Sequence, residues 1–154
     1  MGLAGDYPSS LSVAIPSRVP LDLDTPVCGY RFAVKDLFLI KGLRPTVGCR
    51  AYYAVAETAS ETAPIIQTLL DKNAHLLGTL KLGSLITKEE PAESADYLAP
   101  FNPRGDGYQS AWSSSGGSGA AIASYDWLDF TLGTDSLLPA IHLIITDKSY
   151  SDWE

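Results

Sequence analysis

The stretch 113–135 reads SSSGGSGAAIASYDWLDFTLGTD and decides how the rest of the chain is interpreted. Serine–glycine segments are usually flexible linkers, but a linker has polar flanks without regular structure. Here small apolar residues follow at 120–123, and an apolar run follows at 127–132. The pattern predicts a tight loop that opens a buried helix, then a strand over 127–132. Backbone N–H groups at such a helix start favour an anion.

Strand and helix patterns also alternate upstream of this stretch. Residues 29–34 alternate apolar and polar side chains, which predicts a strand that ends at Lys35. The apolar face of 62–73 predicts a helix, with Thr62 as its N-cap, and 75–80 reads as a short apolar strand. Alternating β and α elements predict an α/β fold.

Three further segments carry weaker signals. The alternating run at 11–15 predicts an edge strand, and the apolar run at 140–145 predicts a short strand. Residues 87–110 are polar and rich in proline and glycine, which predicts a long loop. Loops of that length are usually functional or disordered.

Length and charge exclude some classes of function. A chain of 154 residues with 45% apolar residues corresponds to about one domain. Its net charge of −7 argues against nucleic-acid partners and against docking on anionic lipid. No apolar run is long enough for a membrane span, and no secretory signal opens the chain, so we expect a cytoplasmic protein.

The common cofactor and metal motifs are absent from the sequence. There is no phosphate-binding loop, no dinucleotide fingerprint and no Gly-x-Ser-x-Gly elbow. His75 and His142 are isolated from other ligand residues, so we expect no metal site and no cofactor. Cys28 and Cys49 fit reduced thiols, although one pair allows one disulfide.

Taken in order, several short motifs resemble the amidase signature family of serine hydrolases. They are FAVKD at 32–36, KGLRPTVG at 41–48, Asn102-Pro103, SSGGS at 114–118 and LGTD at 132–135. The resemblance runs from about Pro26 to Asp135. The segments NPRGDGY at 102–108 and YDWLD at 125–129 look like a fungal branch of the family. It implies part of the amidase-signature fold, a mixed sheet with flanking helices.

The resemblance also implies roles for two residues. Lys35 matches the lysine of a Ser–Ser–Lys triad that cleaves small-molecule amides. Ser114 matches the middle serine, which lies on a cis peptide bond and passes a proton between lysine and nucleophile. A lysine acts as a base only when it is neutral, and desolvation favours that form. A hydroxyl both accepts and donates a proton, so it can bridge the two groups.

Two departures from the family pattern affect the catalytic set. The family has Gly-Gly before the two serines, whereas this chain has Trp112-Ser113. The family continues Thr-Asp-Thr/Ser-Gly-Gly-Ser, but here 134–140 reads TDSLLPA. Pro139 stands at the nucleophile position and has no N–H, so we expect neither nucleophile nor oxyanion hole. Ser136 is a poorly placed substitute for the nucleophile.

The sequence therefore divides into three predicted parts. An N-terminal extended segment covers 1–25, a partial amidase domain covers 26–136, and an apolar then acidic tail covers 137–154. We expect a truncated amide-hydrolase relative that is inactive as written. The alternatives are a non-catalytic remnant or binding module, and an unrelated small α/β domain. An incomplete sheet would expose apolar surface and promote self-association. The sequence does not indicate the substrate.

Overall fold

The computed structural model describes residues 13–17, 25–86, 96–97, 100–109, 111, 113–135 and 142–147. Within these ranges the chain forms four strands, three α-helices and one 3₁₀ turn. In chain order they are β1 (Arg31–Lys35), α1 (Arg50–Val55), α2 (Pro64–Asp71), β2 (His75–Leu80), the 3₁₀ turn (Ser84–Ile86), α3 (Gly116–Ser124), β3 (Phe130–Asp135) and β4 (His142–Asp147). None of the described helices is long and apolar enough to cross a membrane.

The four strands form one mixed sheet in the order β2-β1-β3-β4. The central strand β1 runs parallel to β2 and to β3, whereas β4 pairs antiparallel with β3. The predicted α/β class and mixed sheet are therefore confirmed. Because parallel neighbours share the same carboxyl edge, residues at the ends of β1 and β3 lie side by side.

Both faces of β1 are covered, because alternate side chains point to opposite sides of the sheet. On one face Phe32 stacks on Phe130, with ring centroids 5.2 Å apart and planes 4° apart. This face also holds Val34, Leu132 and Ile66 of α2. On the other face Ala33 packs among a second group of buried side chains: Ala121, Ile122 and Leu128. The predicted apolar helix faces thus supply the core.

The third strand begins later than the predicted 127–132. The Leu128 N–H bonds to the Tyr125 carbonyl at 3.0 Å, which makes a turn after α3. The Asp129 N–H then donates to the Arg31 carbonyl at 2.9 Å, and the backbone N–H of Arg31 donates to the Asp129 carboxylate at 2.8 Å. The apolar residues Trp127 and Leu128 therefore lie in a turn, and the apolar pattern alone placed the start of β3 too early.

Two predictions near other element starts are wrong. The N-cap of α2 is Ala63, not Thr62, and Pro64 begins the helix. The Thr62 hydroxyl instead accepts the Lys41 N–H at 3.1 Å. Residues 13–15 belong to no strand, and 11–12 lie outside the described residues.

Other expectations agree with the structure. The predicted strand over 75–80 coincides with β2, and the apolar run at 140–145 forms most of β4. Within the predicted loop 87–110, the described parts 96–97 and 100–109 contain no helix. Helix α1 was not expected, because the tyrosines and alanines of 50–55 give no clear apolar face.

Candidate active site

Lys35 ends β1 with its side chain fully buried. Its Nζ lies 2.6 Å from Ser114 Oγ, 2.9 Å from Ser115 Oγ and 3.0 Å from Thr134 Oγ1. The Thr134 carbonyl oxygen is 3.3 Å away. A buried amine without such partners would carry a large desolvation cost. The end of β1 therefore holds a lysine surrounded by oxygen atoms.

Ser114 lies just before α3 and is partly exposed. The peptide bond between Ser113 and Ser114 is cis, the geometry that the family resemblance implies for this bond. The Ser114 carbonyl accepts the Gly83 N–H at 3.0 Å, which fixes the loop against the segment that follows β2. The structure thus brings together Lys35 and Ser114, which are 79 positions apart in sequence.

Ser115 and Thr134 also belong to this cluster, and sequence reasoning gave neither of them a role. The Ser115 hydroxyl donates to the Thr134 carbonyl at 2.9 Å and accepts the Thr134 N–H at 3.2 Å. These bonds tie the loop before α3 to the end of β3. The sequence signal available for Thr134 was its place in the LGTD motif, directly after the predicted strand over 127–132.

Two glycines allow this close approach of loop, helix and strand. A Cβ on Gly133 would lie 3.0 Å from Ser115 Oγ and 3.1 Å from Ser115 Cβ. A Cβ on Gly117 would lie 2.2 Å from the Lys81 carbonyl oxygen. Gly117 of the SSGGS motif therefore lets α3 pack against residue 81, and Gly133 of the LGTD motif lets β3 pack against Ser115, which contacts Lys35 Nζ.

Asp36 anchors the loop that follows β1. Its Oδ2 accepts the Thr46 N–H at 3.1 Å and also accepts the Thr46 hydroxyl. The Thr46 hydroxyl oxygen in turn accepts the Gly48 N–H at 3.1 Å. Burial raises the pKa of the Asp36 carboxyl, and its hydrogen bonds to Thr46 act in the opposite direction. Asp36 thus holds the KGLRPTVG segment in place after β1.

The remaining residues singled out in the sequence lie away from this cluster or outside the described chain. Cys28 and Cys49 are not joined in a disulfide. His75 begins β2, where its backbone N–H bonds to the Tyr30 carbonyl at 2.7 Å. Among the described residues, no group of three or more His, Cys, Asp or Glu side chains could hold a metal ion.

The expected nucleophile position falls beyond the described part of β3. Ser136 and Pro139 lie outside the described residues, so the loss of the nucleophile remains an expectation from sequence. The described site contains Lys35, Ser114 and two further residues whose oxygens lie within hydrogen-bond distance of Nζ, Ser115 and Thr134. Chemically, it can hold a proton between an amine and a hydroxyl.

Comparison with known proteins identifies relatives of this chain. The Amidase family model matches residues 14–136. Amidase 1 of rice (Oryza sativa subsp. japonica) is 31% identical over 135 residues, which cover 88% of this chain and 30% of the relative. Amidase 1 of Arabidopsis thaliana is 32% identical over 108 residues, covering 70% of this chain and 25% of the relative. The chain therefore spans less than a third of either plant protein.

Solved structures agree with the sequence comparison. One comes from a vestigial protein complex that reveals the evolutionary origins of an s-triazine catabolic enzyme. It is 34% identical, with a TM-score of 0.65, over 73% of this chain and 24% of that structure's chain. With the family model covering most of its length, this chain belongs to the amidase family.

Proposed function

We propose that this chain retains the lysine–serine proton relay of an amide hydrolase but does not itself hydrolyse amides. The observation that carries the proposal is the 2.6 Å contact between Lys35 Nζ and Ser114 Oγ. Relatives named as amidases support an amide C–N bond as the ancestral target. We place this function in the segment 26–136.

The relay needs a third group to be catalytic. A neutral Lys35 would accept the Ser114 proton, and Ser114 would take a proton from a nucleophile on its other side. In this sequence the matching position is Pro139, which has neither a hydroxyl nor an N–H. The two residues before it, Leu137 and Leu138, replace the glycines of the family turn. The relay is therefore left without a nucleophile to activate.

Turnover of a simple aryl amide by the full chain tests this proposal. We expect arylamine release at the same rate from the wild type and from Lys35→Ala, because the relay has no nucleophile. A Ser136→Ala variant is the second comparison, since Ser136 is the substitute closest in sequence. Release that Lys35→Ala abolishes would reject the proposal, and its loss in Ser136→Ala would identify the nucleophile.

We also propose that the chain self-associates through exposed apolar surface. No residue of α1 is buried, and Val55 at its end is 78% exposed. Leu39 and Leu43, which precede α1, are 49% and 40% exposed. Exposed apolar surface favours association. Sedimentation velocity at micromolar concentration should show species larger than a monomer, and Val55→Glu should shift them toward the monomer. A monomer with a sharp cooperative melt would contradict this.

A further inference from the structure

We propose that Ser114 is itself a nucleophile toward activated acyl and phosphonyl groups, with Lys35 as its base. The protein would then form a covalent adduct at Ser114 with such electrophiles. This proposal rests on the same Lys35–Ser114 pair as the proposed function, but it gives the serine a different role. Serine–lysine pairs are an established variant of nucleophilic catalysis on unrelated folds.

The distribution of hydroxyl protons around Lys35 singles out Ser114. The Ser115 hydroxyl donates its proton to the Thr134 carbonyl, so toward Lys35 Nζ it can act only as an acceptor. The Thr134 hydroxyl is 3.0 Å from Nζ, but Thr134 is only 5% exposed and so is shielded from solutes. Ser114 has the shortest contact with Nζ and is partly exposed.

The oxygens around Lys35 Nζ also suit a neutral lysine. In the structure Nζ donates to Ser114 Oγ, Ser115 Oγ and Thr134 Oγ1. A neutral amine has two N–H groups and one lone pair. Its N–H groups would still bond to Ser115 and Thr134, and its lone pair would then face the Ser114 hydroxyl. The fully buried side chain is held in one position by these bonds, so no reorganisation is needed before proton transfer.

The surroundings of Ser114 also suit the charge that develops during attack. Ser114 is followed by Ser115, the N-cap of the nine-residue helix α3. The N-terminal end of a helix favours negative charge in its vicinity. The hydrogen bond from Gly83 N–H to the Ser114 carbonyl keeps the attacking residue in place.

The reaction with a fluorophosphonate shows the balance of the step. A bond forms between Ser114 Oγ and phosphorus, and the phosphorus–fluorine bond breaks, so fluoride leaves with the electron pair. The Ser114 proton moves to Lys35 Nζ, which becomes an ammonium. No oxidant, reductant or other co-reactant is required. The proposed reaction ends at the adduct. Fluoride is a good leaving group, so attack on a fluorophosphonate does not need the nucleophile that cleaves amides.

The test is labelling of the full chain with a fluorophosphonate, followed by intact mass spectrometry and fragmentation to locate the adduct. We expect one adduct on Ser114 that is absent in Ser114→Ala. In Lys35→Met, labelling should slow by about 100-fold or more, the range for loss of a general base. The matched control is Ser124→Ala at the end of α3, which removes a hydroxyl bonded to the Ala120 carbonyl and should label like the wild type.

A second variant keeps the test decisive if Lys35→Met does not fold. Lys35→Arg keeps a positive charge, but a guanidinium cannot be deprotonated in proteins, so labelling of this variant, corrected with Ser114→Ala as background, should also slow by about 100-fold or more. Absence of an adduct, an adduct on another serine, or labelling of Lys35→Arg at the wild-type rate would overturn the proposal. The two proposals fail separately. Absence of labelling would overturn the role of Ser114 as a nucleophile and leave the proposed lack of amide turnover unchanged. Amide turnover would overturn the proposed function, whatever the labelling shows.

Discussion

Replacing Gly117 with alanine should destabilise the protein by about 3 kcal/mol, at the upper end of the usual cost of overpacking. The added Cβ would lie 2.2 Å from the Lys81 carbonyl oxygen and 2.9 Å from the Lys81 nitrogen. Both are backbone atoms, so no flexible side chain can move aside. Helix α3 would have to shift away from residue 81, and the loop that carries Ser114 would shift with it. Urea unfolding of the two proteins measures the difference.

Gly119→Ala is the matched control for Gly117→Ala. Gly119 lies in the same helix and is exposed, and a Cβ added there would have no atom within 4 Å. The same substitution there should stabilise the protein by about 0.5–1 kcal/mol, because alanine is the better helix former. Equal effects at the two positions would contradict the close approach of α3 to residue 81.

Replacing Phe32 with alanine should cost about 3–5 kcal/mol, the usual range for a buried aromatic residue. Phe32 is fully buried on the central strand and stacks on Phe130 at 5.2 Å. Removing the ring would leave a cavity between β1, β3 and α2 that the neighbouring backbone cannot fill. Thermal or urea unfolding, read by circular dichroism, gives the change.

Phe101→Ala is the control that separates burial from residue type. Phe101 is 59% exposed, so its replacement should change the free energy of unfolding by no more than about 0.5 kcal/mol. If Phe32→Ala were as mild as Phe101→Ala, the core assigned to the two faces of β1 would be wrong. A large effect at both positions would show that the exposed loop contributes to the core.

The pattern of apolar residues along the chain predicted three of the elements. Strand β1 follows from alternating side chains, β2 from a short apolar run and α2 from one apolar face. The start of β3 did not follow, since Trp127 and Leu128 are apolar residues in a turn. The N-cap of α2 was misplaced because Thr62 bonds to a distant backbone N–H, and no local pattern reveals such a partner.

The candidate site was predictable to the extent that short motifs mark it. Lys35 and Ser114 were identified from their motifs, and the structure places Nζ and Oγ 2.6 Å apart. Ser115 and Thr134 were not, because their importance depends on the parallel register of β1 and β3. That register brings the ends of the two strands together, and a linear sequence does not show it. The packing role of Gly117 likewise depends on where residue 81 passes.

The most direct test of the central claim is the difference in amide turnover between the wild type and Lys35→Ala. Both chains are incubated with one aryl amide at equal concentration, and the released arylamine is measured over the same period. Circular dichroism on the same samples establishes that both are folded. The account predicts a difference indistinguishable from zero, because the relay from Lys35 through Ser114 meets Pro139 where a nucleophile is required. A wild-type rate that depends on Lys35 would contradict it.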